Sequence, residues 1–308
     1  MMKIRGSLLS LILIAAMPSI RGQDFEGLKK INGTFLYFKI IGEGEPIVFV
    51  HGGPGMNHSY FIPHLNTLAR DFKIVMYDQR ASGKSAIPSP DSISLKYFAD
   101  DLEAIRKSLG VEKLNLLGHS WGAIPVVYYG ILYPDKVKSM VLCNPVPLSK
   151  EFDKEMLENQ QKKTSSYDST DRSIIIGSPD FKAGKPTAYK KLLMFSFRHS
   201  FYRPADYTKL EFDMPDNYLQ ANRALFTGLS KDLNQYDFYE GARNFSFPVL
   251  IIQGAADAVP LRASQQAAKN IKKSRLLVIK KAGHFAFIDQ PRKFNVEVGE
   301  FVRASDKK

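Results

Sequence analysis

Cysteine is almost missing from this chain: Cys143 is the only one among 308 residues. An internal disulfide is therefore impossible in any compartment. Cys143 closes a predicted buried strand, where the expected role is that of a small core residue. Metal and nucleotide signatures are missing as well. There is no His-Glu-x-x-His pair, no Cys-x-x-Cys pair and no Walker-type phosphate loop, so no motif points to a metal, a redox dithiol or a bound nucleotide. Past the first residues, no run is long and apolar enough to span a bilayer. Basic residues are plentiful, with 43 Lys and Arg against 31 Asp and Glu for a formal charge of +12. They are scattered in pairs such as Lys29-Lys30, Lys190-Lys191 and Lys280-Lys281, with no aromatic residues interleaved in a basic stretch. Nucleic-acid binding has no support in that pattern. The surplus suits a solvated surface with a mild attraction for anionic envelopes or substrates. No internal repeat is present.

The remaining composition is that of a soluble globular chain, 44% hydrophobic and 24% charged, long enough for one large domain with an insertion or for two small ones. Lys3 and Arg5, the apolar stretch Leu8 to Met17, and the small or polar residues through Gly22-Gln23 form the pattern of a secretory signal peptide over residues 1–22. The apolar part is too short to cross a bilayer comfortably. The expectation is a cleaved, secreted or periplasmic protein without stable membrane insertion.

Hydrophobic periodicity then alternates between two and about 3.6 residues. Gly27 to Ile41 reads as a hairpin around Asn32-Gly33. Ile47-Val48-Phe49-Val50 is a short, fully apolar strand of the kind found inside a parallel sheet. Lys73 to Tyr77 is a strand. Leu95, Phe98, Leu102, Ile105 and Leu109 recur at helical spacing, and Gly110 stops that helix. Leu114 to Leu117 is a strand, Trp121 to Tyr133 a helix halted by Pro134, and Val137 to Leu142 a strand. The alternation breaks at Pro145-Val146-Pro147 and resumes with a strand at Pro248 to Ile252. A helix over Leu261 to Ile271, a strand at Leu276 to Ile279 and a final helix from about Pro291 to Ala304 follow. Such alternation predicts an α/β fold whose mostly parallel sheet is covered on both faces. The core spans residues 23–145 and 244–308, and a helical, aromatic-rich lid spans 146–243. Within that lid, Asn159 to Asp171 reads as a loop.

Gly118-His119-Ser120-Trp121-Gly122 falls between a predicted strand and a predicted helix, where the Gly-x-Ser-x-Gly pattern forms a tight elbow. The elbow lifts the serine hydroxyl above the sheet edge, at the positive end of the following helix. A serine hydroxyl needs a base, and the base needs an orienting carboxylate. Asp257 follows the strand ending at Gln253, and His284 follows the strand ending at Ile279, in the order Ser, acid, His that this architecture uses. His51, His58, His64, His119 and His199 do not follow a late strand. Asp289 is too close to His284, and Asp232 falls in the insertion. His51-Gly52-Gly53-Pro54-Gly55, directly after the first central strand, supplies flexible backbone that brings N–H groups to a developing oxyanion together with the amide of Trp121. Both Gly52 and Gly53 are candidate donors, with Gly53 favoured.

His51-Gly52-Gly53-Pro54-Gly55, Asp78-Gln79-Arg80-Ala81-Ser82-Gly83-Lys84-Ser85 and Gly118-His119-Ser120-Trp121-Gly122, in this order, resemble the prolyl iminopeptidase group of α/β-hydrolases. The wider resemblance covers roughly residues 30 to 145 and 245 to 305. It implies a helical lid, removal of an N-terminal residue (often proline) from short peptides, and no metal or organic cofactor. The Asp-Gln-Arg segment carries Ala81 where glycine is usual, and its expected role is structural support behind the oxyanion loop. A second departure concerns the substrate amine. Related aminopeptidases commonly hold it with glutamates, one just after the triad acid and one late in the lid, whereas this chain has Ala258 and the run Asn222-Arg223-Ala224-Leu225-Phe226. Glu211, Asp213, Asp216 and Glu240 are the lid acids available to substitute, and Arg223 would favour an acidic substrate. Three readings stay open on sequence: a prolyl iminopeptidase-like peptidase, a carboxylesterase or other small-acyl hydrolase, and a ligand-binding protein without turnover. All three take a small molecule or short peptide as partner.

Overall fold

Asn32 and Gly33, both at positive φ, make the two-residue turn between β1 (Phe25–Ile31) and β2 (Thr34–Ile41), which pair antiparallel with Ile31 opposite Thr34. The computed structural model describes residues 24–163 and 166–305. The expected signal segment, 1–22, lies outside the described residues. β3 (Glu45–Val50) pairs parallel with β4 (Phe72–Tyr77), and β4 takes β2 antiparallel on its other side. The sheet continues in parallel through β5 (Leu114–His119), β6 (Val137–Cys143), β7 (Val249–Gly254) and β8 (Ser274–Ile279). Its order is β1-β2-β4-β3-β5-β6-β7-β8.

The central strands bury both faces, which explains their unbroken apolar runs. In β3, Val48 and Val50 belong to one core while Ile47 and Phe49 belong to the other. The first core is covered by α1 (Leu95–Leu109) and α2 (Ala123–Leu132). Ser94 caps α1 by accepting the Tyr97 N–H, and Gly110 ends it in the left-handed conformation at φ 68°. Arg80 and Asp101 form a bidentate ion pair buried inside this face, with Asn32 Nδ2 donating to the same carboxylate at 3.0 Å.

Between β6 and β7 lie α3 (Asp153–Lys163), α4 (Ser166–Gly177), α5 (Pro179–Lys182), α6 (Pro186–Ser196), α7 (Tyr218–Asn234) and α8 (Tyr239–Ala242). The two ends of this segment are zipped at its neck by a bridge between Ser149 and Asp237 and by the Phe238 N–H donating to the Leu148 carbonyl at 2.9 Å. Asn159 to Asp171, expected as a loop, is largely helical instead. Helix α3 runs through Lys163 and α4 starts at Ser166. Helix α3 buries no side chain completely, so its sequence carries no apolar period. It is held by polar contacts to the core: Asn159 Nδ2 donates to the Ala258 carbonyl at 3.2 Å, Lys163 Nζ donates to the Ala256 carbonyl, and Glu155 pairs with Arg262. The chain closes with α9 (Leu261–Asn270), α10 (Ala286–Asp289) and α11 (Pro291–Ser305), and α11 covers the second core through Phe294, Val298 and Val302. No helix among the described residues is long and apolar enough to cross a membrane.

Candidate active site

Strand β5 ends in a turn too tight for side chains at its two glycines. A Cβ on Gly118 would stand 2.5 Å from the Gly122 carbonyl oxygen, and one on Gly122 would stand 2.2 Å from the Val50 carbonyl oxygen. Ser120 between them is held at φ 54°, a strained left-handed conformation for a residue with a side chain. A short 3₁₀ turn over Ser120–Gly122 leads into α2, so the expected helix begins two residues late, at Ala123. The elbow presents the Ser120 hydroxyl at the mouth of a cavity of about 460 Å³ whose far wall is the helical segment between β6 and β7.

Ser120, His284 and Asp257 lie together. His284 Nε2 is 2.8 Å from Ser120 Oγ, and His284 Nδ1 is 2.9 and 3.1 Å from the two carboxylate oxygens of Asp257. Burial alone would raise the Asp257 carboxyl, but the facing His284 charge and hydrogen bonds from His284, Asn144 and the Val259 N–H outweigh it and hold the group below the ordinary carboxylate range. The acid therefore stays charged, which fixes the imidazole with its proton on Nδ1 and its lone pair toward the serine.

The glycine loop divides its two candidates. Gly53 lines the cavity beside Ser120. Gly52 does not: its N–H already donates to Tyr60 Oη, which removes it from the set of available donors. The Trp121 amide stands at the start of a helical turn, where no intrahelical acceptor exists. The Asp78–Ser85 segment braces this loop from behind. The Gln79 N–H donates to His51 Nε2 at 3.0 Å, Gln79 Nε2 donates to the His51 carbonyl at 2.7 Å, and Trp121 Nε1 donates to Gln79 Oε1 at 3.2 Å. Ala81 sits at φ 54°, a backbone setting that glycine would adopt without strain.

Several contributors carry no motif. Asn144, just past β6 and at φ 45°, donates from Nδ2 to Asp257 Oδ2 at 2.8 Å and to the Gly283 carbonyl at 2.9 Å. Its sole sequence signal is its position at the carboxyl end of a strand. His119 joins the two halves of the site. Its Nε2 is 3.0 Å from the His284 carbonyl and its Nδ1 2.9 Å from Tyr60 Oη. A carbonyl only accepts, so Nε2 carries the proton and Nδ1 receives the Tyr60 hydroxyl. One chain of donors thus runs from Gly52 through Tyr60 and His119 to the backbone of His284. Burial, with the neighbouring His284 charge, pushes the His119 ring down to about 3 and keeps it neutral. Cys143 is fully buried and its thiol is pushed well above its ordinary value, the opposite of a nucleophilic thiolate.

The aromatic residues between β6 and β7 divide between the cavity and the packing around it. Phe195 and Phe197 line the cavity, whereas Phe201 stacks on Phe285 at 4.9 Å and Tyr218 packs beside Tyr189. Tyr207 packs against the second core and Tyr202 is exposed. Among the described lining residues, Arg223, Glu211, Asp213, Asp216 and Glu240 are not present; Asp213 faces Lys84 instead. Among the described residues, the acid between β6 and β7 that lines the cavity is Asp168. It is 4% exposed, 2.8 Å from His199 Nε2 and 3.8 Å from Arg198.

A family model described as the alpha/beta hydrolase fold matches residues 45–291. Among curated proteins, the chain is 25% identical over 299 residues to a proline iminopeptidase of Clostridioides difficile (strain 630), covering 91% of this chain and 99% of that one. Among solved structures it is similar to the proline iminopeptidase of Mycobacterium smegmatis, with a TM-score of 0.69 at 20% identity over 92% of this chain and 99% of that chain. It is also similar to an esterase from Exiguobacterium antarcticum, with a TM-score of 0.64 at 21% identity over 91% of this chain and 100% of that chain. At these identities the two solved structures speak for the fold alone.

Proposed function

Because this chain belongs to the alpha/beta hydrolase fold family, we propose that it cleaves acyl bonds through a covalent acyl-enzyme formed on Ser120. The observation that carries this reading is the Ser120–His284–Asp257 alignment, at 2.8 and 2.9 Å. His284 takes the Ser120 proton as Oγ attacks the carbonyl carbon, and the Gly53 and Trp121 N–H groups donate hydrogen bonds to the oxygen on which negative charge develops. His284 then protonates the leaving group. Water, deprotonated by the same imidazole, releases the acid and restores the serine. The reading requires Ser120→Ala to lower kcat by roughly 10⁴-fold or more. A fluorophosphonate should label Ser120 in the intact enzyme and leave the variant unlabelled. Full turnover by the variant would refute the mechanism.

The finer reading is cleavage of an N-terminal residue from short peptides, supported by the proline iminopeptidase relatives that match over 91% of the chain. A second reading, hydrolysis of small esters, is favoured by the cavity wall. Ala258 lines it directly after the acid, and Asp168 is already engaged by His199 and Arg198, so a substrate ammonium meets no open carboxylate among the described lining residues. Turnover of a free-amine proline arylamide against its N-acylated analogue separates them. Preference for the free amine supports the peptidase, and equal turnover supports the esterase. We further propose that residues 146–243 act as a lid and that residues 1–22 direct export. Retention of the full-length chain in the cytoplasm, with its N-terminus uncleaved, would refute export.

A further inference from the structure

We propose that the substrate carries a negatively charged group, a carboxylate in the first instance, held by Lys163 and Arg172 on the lid wall of the cavity. The proposal rests on the acyl-transfer reading and extends it to substrate class. Both cations line the same cavity as Ser120 and His284. Lys163, the last residue of α3, donates from Nζ to a neutral acceptor, the Ala256 carbonyl. Arg172, two turns into α4, donates from Nη1 to Ser196 Oγ at 3.4 Å. Among the described residues no ion-pair partner is present for either. The cavity's two carboxylates are engaged elsewhere, Asp257 by His284, Asn144 and the Val259 N–H, and Asp168 by His199 and Arg198.

Lys163 is half-buried, and desolvation lowers its ammonium below the ordinary lysine value, with the attraction of Asp257 offsetting only part of that. A cation in that state lacks counter-charge, and an arriving carboxylate supplies it. An ammonium group entering the same cavity meets two like charges instead. Phe195, Phe197 and Met156 make part of the surrounding wall apolar, while Arg172 stays exposed, so the attraction remains sensitive to salt. The cavity therefore matches a short acyl compound with an apolar body and one anionic end. A short peptide presenting its own C-terminal carboxylate meets the same description.

Two matched ester pairs test this. In the first, p-nitrophenyl hydrogen glutarate is compared with its methyl ester, which places the charge on the acyl side. In the second, 4-acetoxybenzoate is compared with methyl 4-acetoxybenzoate, which places it on the leaving side. At low ionic strength, kcat/KM should favour the anionic member of at least one pair by roughly tenfold. That preference should shrink in about 0.5 M salt. It should collapse toward unity in the double variant Lys163→Gln/Arg172→Gln and persist in Lys163→Arg/Arg172→Lys. Each preference is a ratio within one protein, so partial loss of folded enzyme cancels. Equal or better turnover of the neutral member in both pairs, by wild-type enzyme that a fluorophosphonate labels, overturns the proposal and leaves the acyl-enzyme reading standing. A preference that survives removal of both cations overturns the assignment to these residues. No turnover of any of the four esters, together with no labelling, overturns the acyl-enzyme reading itself and the proposal with it.

Discussion

At the scale of single residues, the candidate site is a set of oriented donors more than a set of reactive groups. Asn144 illustrates this. Its amide nitrogen gives one proton to Asp257 and one to the Gly283 carbonyl, so a single side chain fixes both the acid and the loop that carries the base. Asn144→Ala would leave a buried carboxylate and a buried carbonyl each one donor short, a costly state in a dry site. The expected outcome is a fall in kcat of about 10- to 100-fold from misalignment of the imidazole. KM should move much less, because Asn144 does not line the cavity. Asn144→Asp should be worse, since it sets a second carboxylate against Asp257. Steady-state kinetics on folded protein decide the matter, and an Asn144→Ala enzyme with wild-type kcat would show that His284 needs no such anchor.

At the scale of elements, legibility followed burial. Helix α1 was readable because Ser94 and Gly110 bracket a stripe of residues that pack into one core, and β3, β5 and β7 because both of their faces are buried. Ser120, Asp257 and His284 come together because each follows a strand of the one sheet. Helix α3 was not readable, since it is held by Asn159, Lys163 and Glu155 reaching core groups about a hundred residues away, contacts that leave no periodic trace. Gly53 was the favoured donor on sequence, but the contact that occupies the Gly52 N–H, a tyrosine hydroxyl eight residues later, left no trace there. The same long-range seam has a functional consequence. The His284 N–H donates to the Ser200 carbonyl at 2.6 Å, and a Cβ on Gly283 would stand 2.2 Å from that same oxygen. The backbone of the segment between β6 and β7 therefore rests directly on the loop that bears His284. Gly283→Ala should push the two apart, costing about 1–3 kcal/mol of stability by overpacking and lowering kcat by about 100-fold as His284 shifts. Thermal melts and kinetics on the same preparation check it. A large loss of stability with unchanged kcat would mean that Ser200 and His284 move independently.

At the scale of the whole molecule, the network behind the site ties folding to pH. His51 and His119 are fully buried, and desolvation lowers their rings to about 4 and about 3, with the His284 charge adding to the effect on His119. In the unfolded chain both titrate near 6.5. Below that pH the unfolded state takes up protons that the folded state refuses, so the stabilisation is complete above about pH 6.5 and is lost as the pH falls toward 4. Each histidine contributes a slope of up to about 1.4 kcal/mol per pH unit inside that window. Urea unfolding at pH 7.5 and pH 5.0 should show a clear loss at the lower pH, with little change between pH 7.5 and 8.5. His119→Gln, which removes one of these titrations, should flatten the slope. His119 also supports the candidate site. His119 accepts the Tyr60 hydroxyl through a lone pair that protonation would occupy, and its other nitrogen holds the backbone of His284. A charged His119 would loosen the loop of His284, and the fold keeps the ring neutral through the window in which stability is lost. Identical slopes in wild type and His119→Gln would mean that His119 exchanges protons freely in the folded protein and that the donor chain from Gly52 to His284 is not rigid.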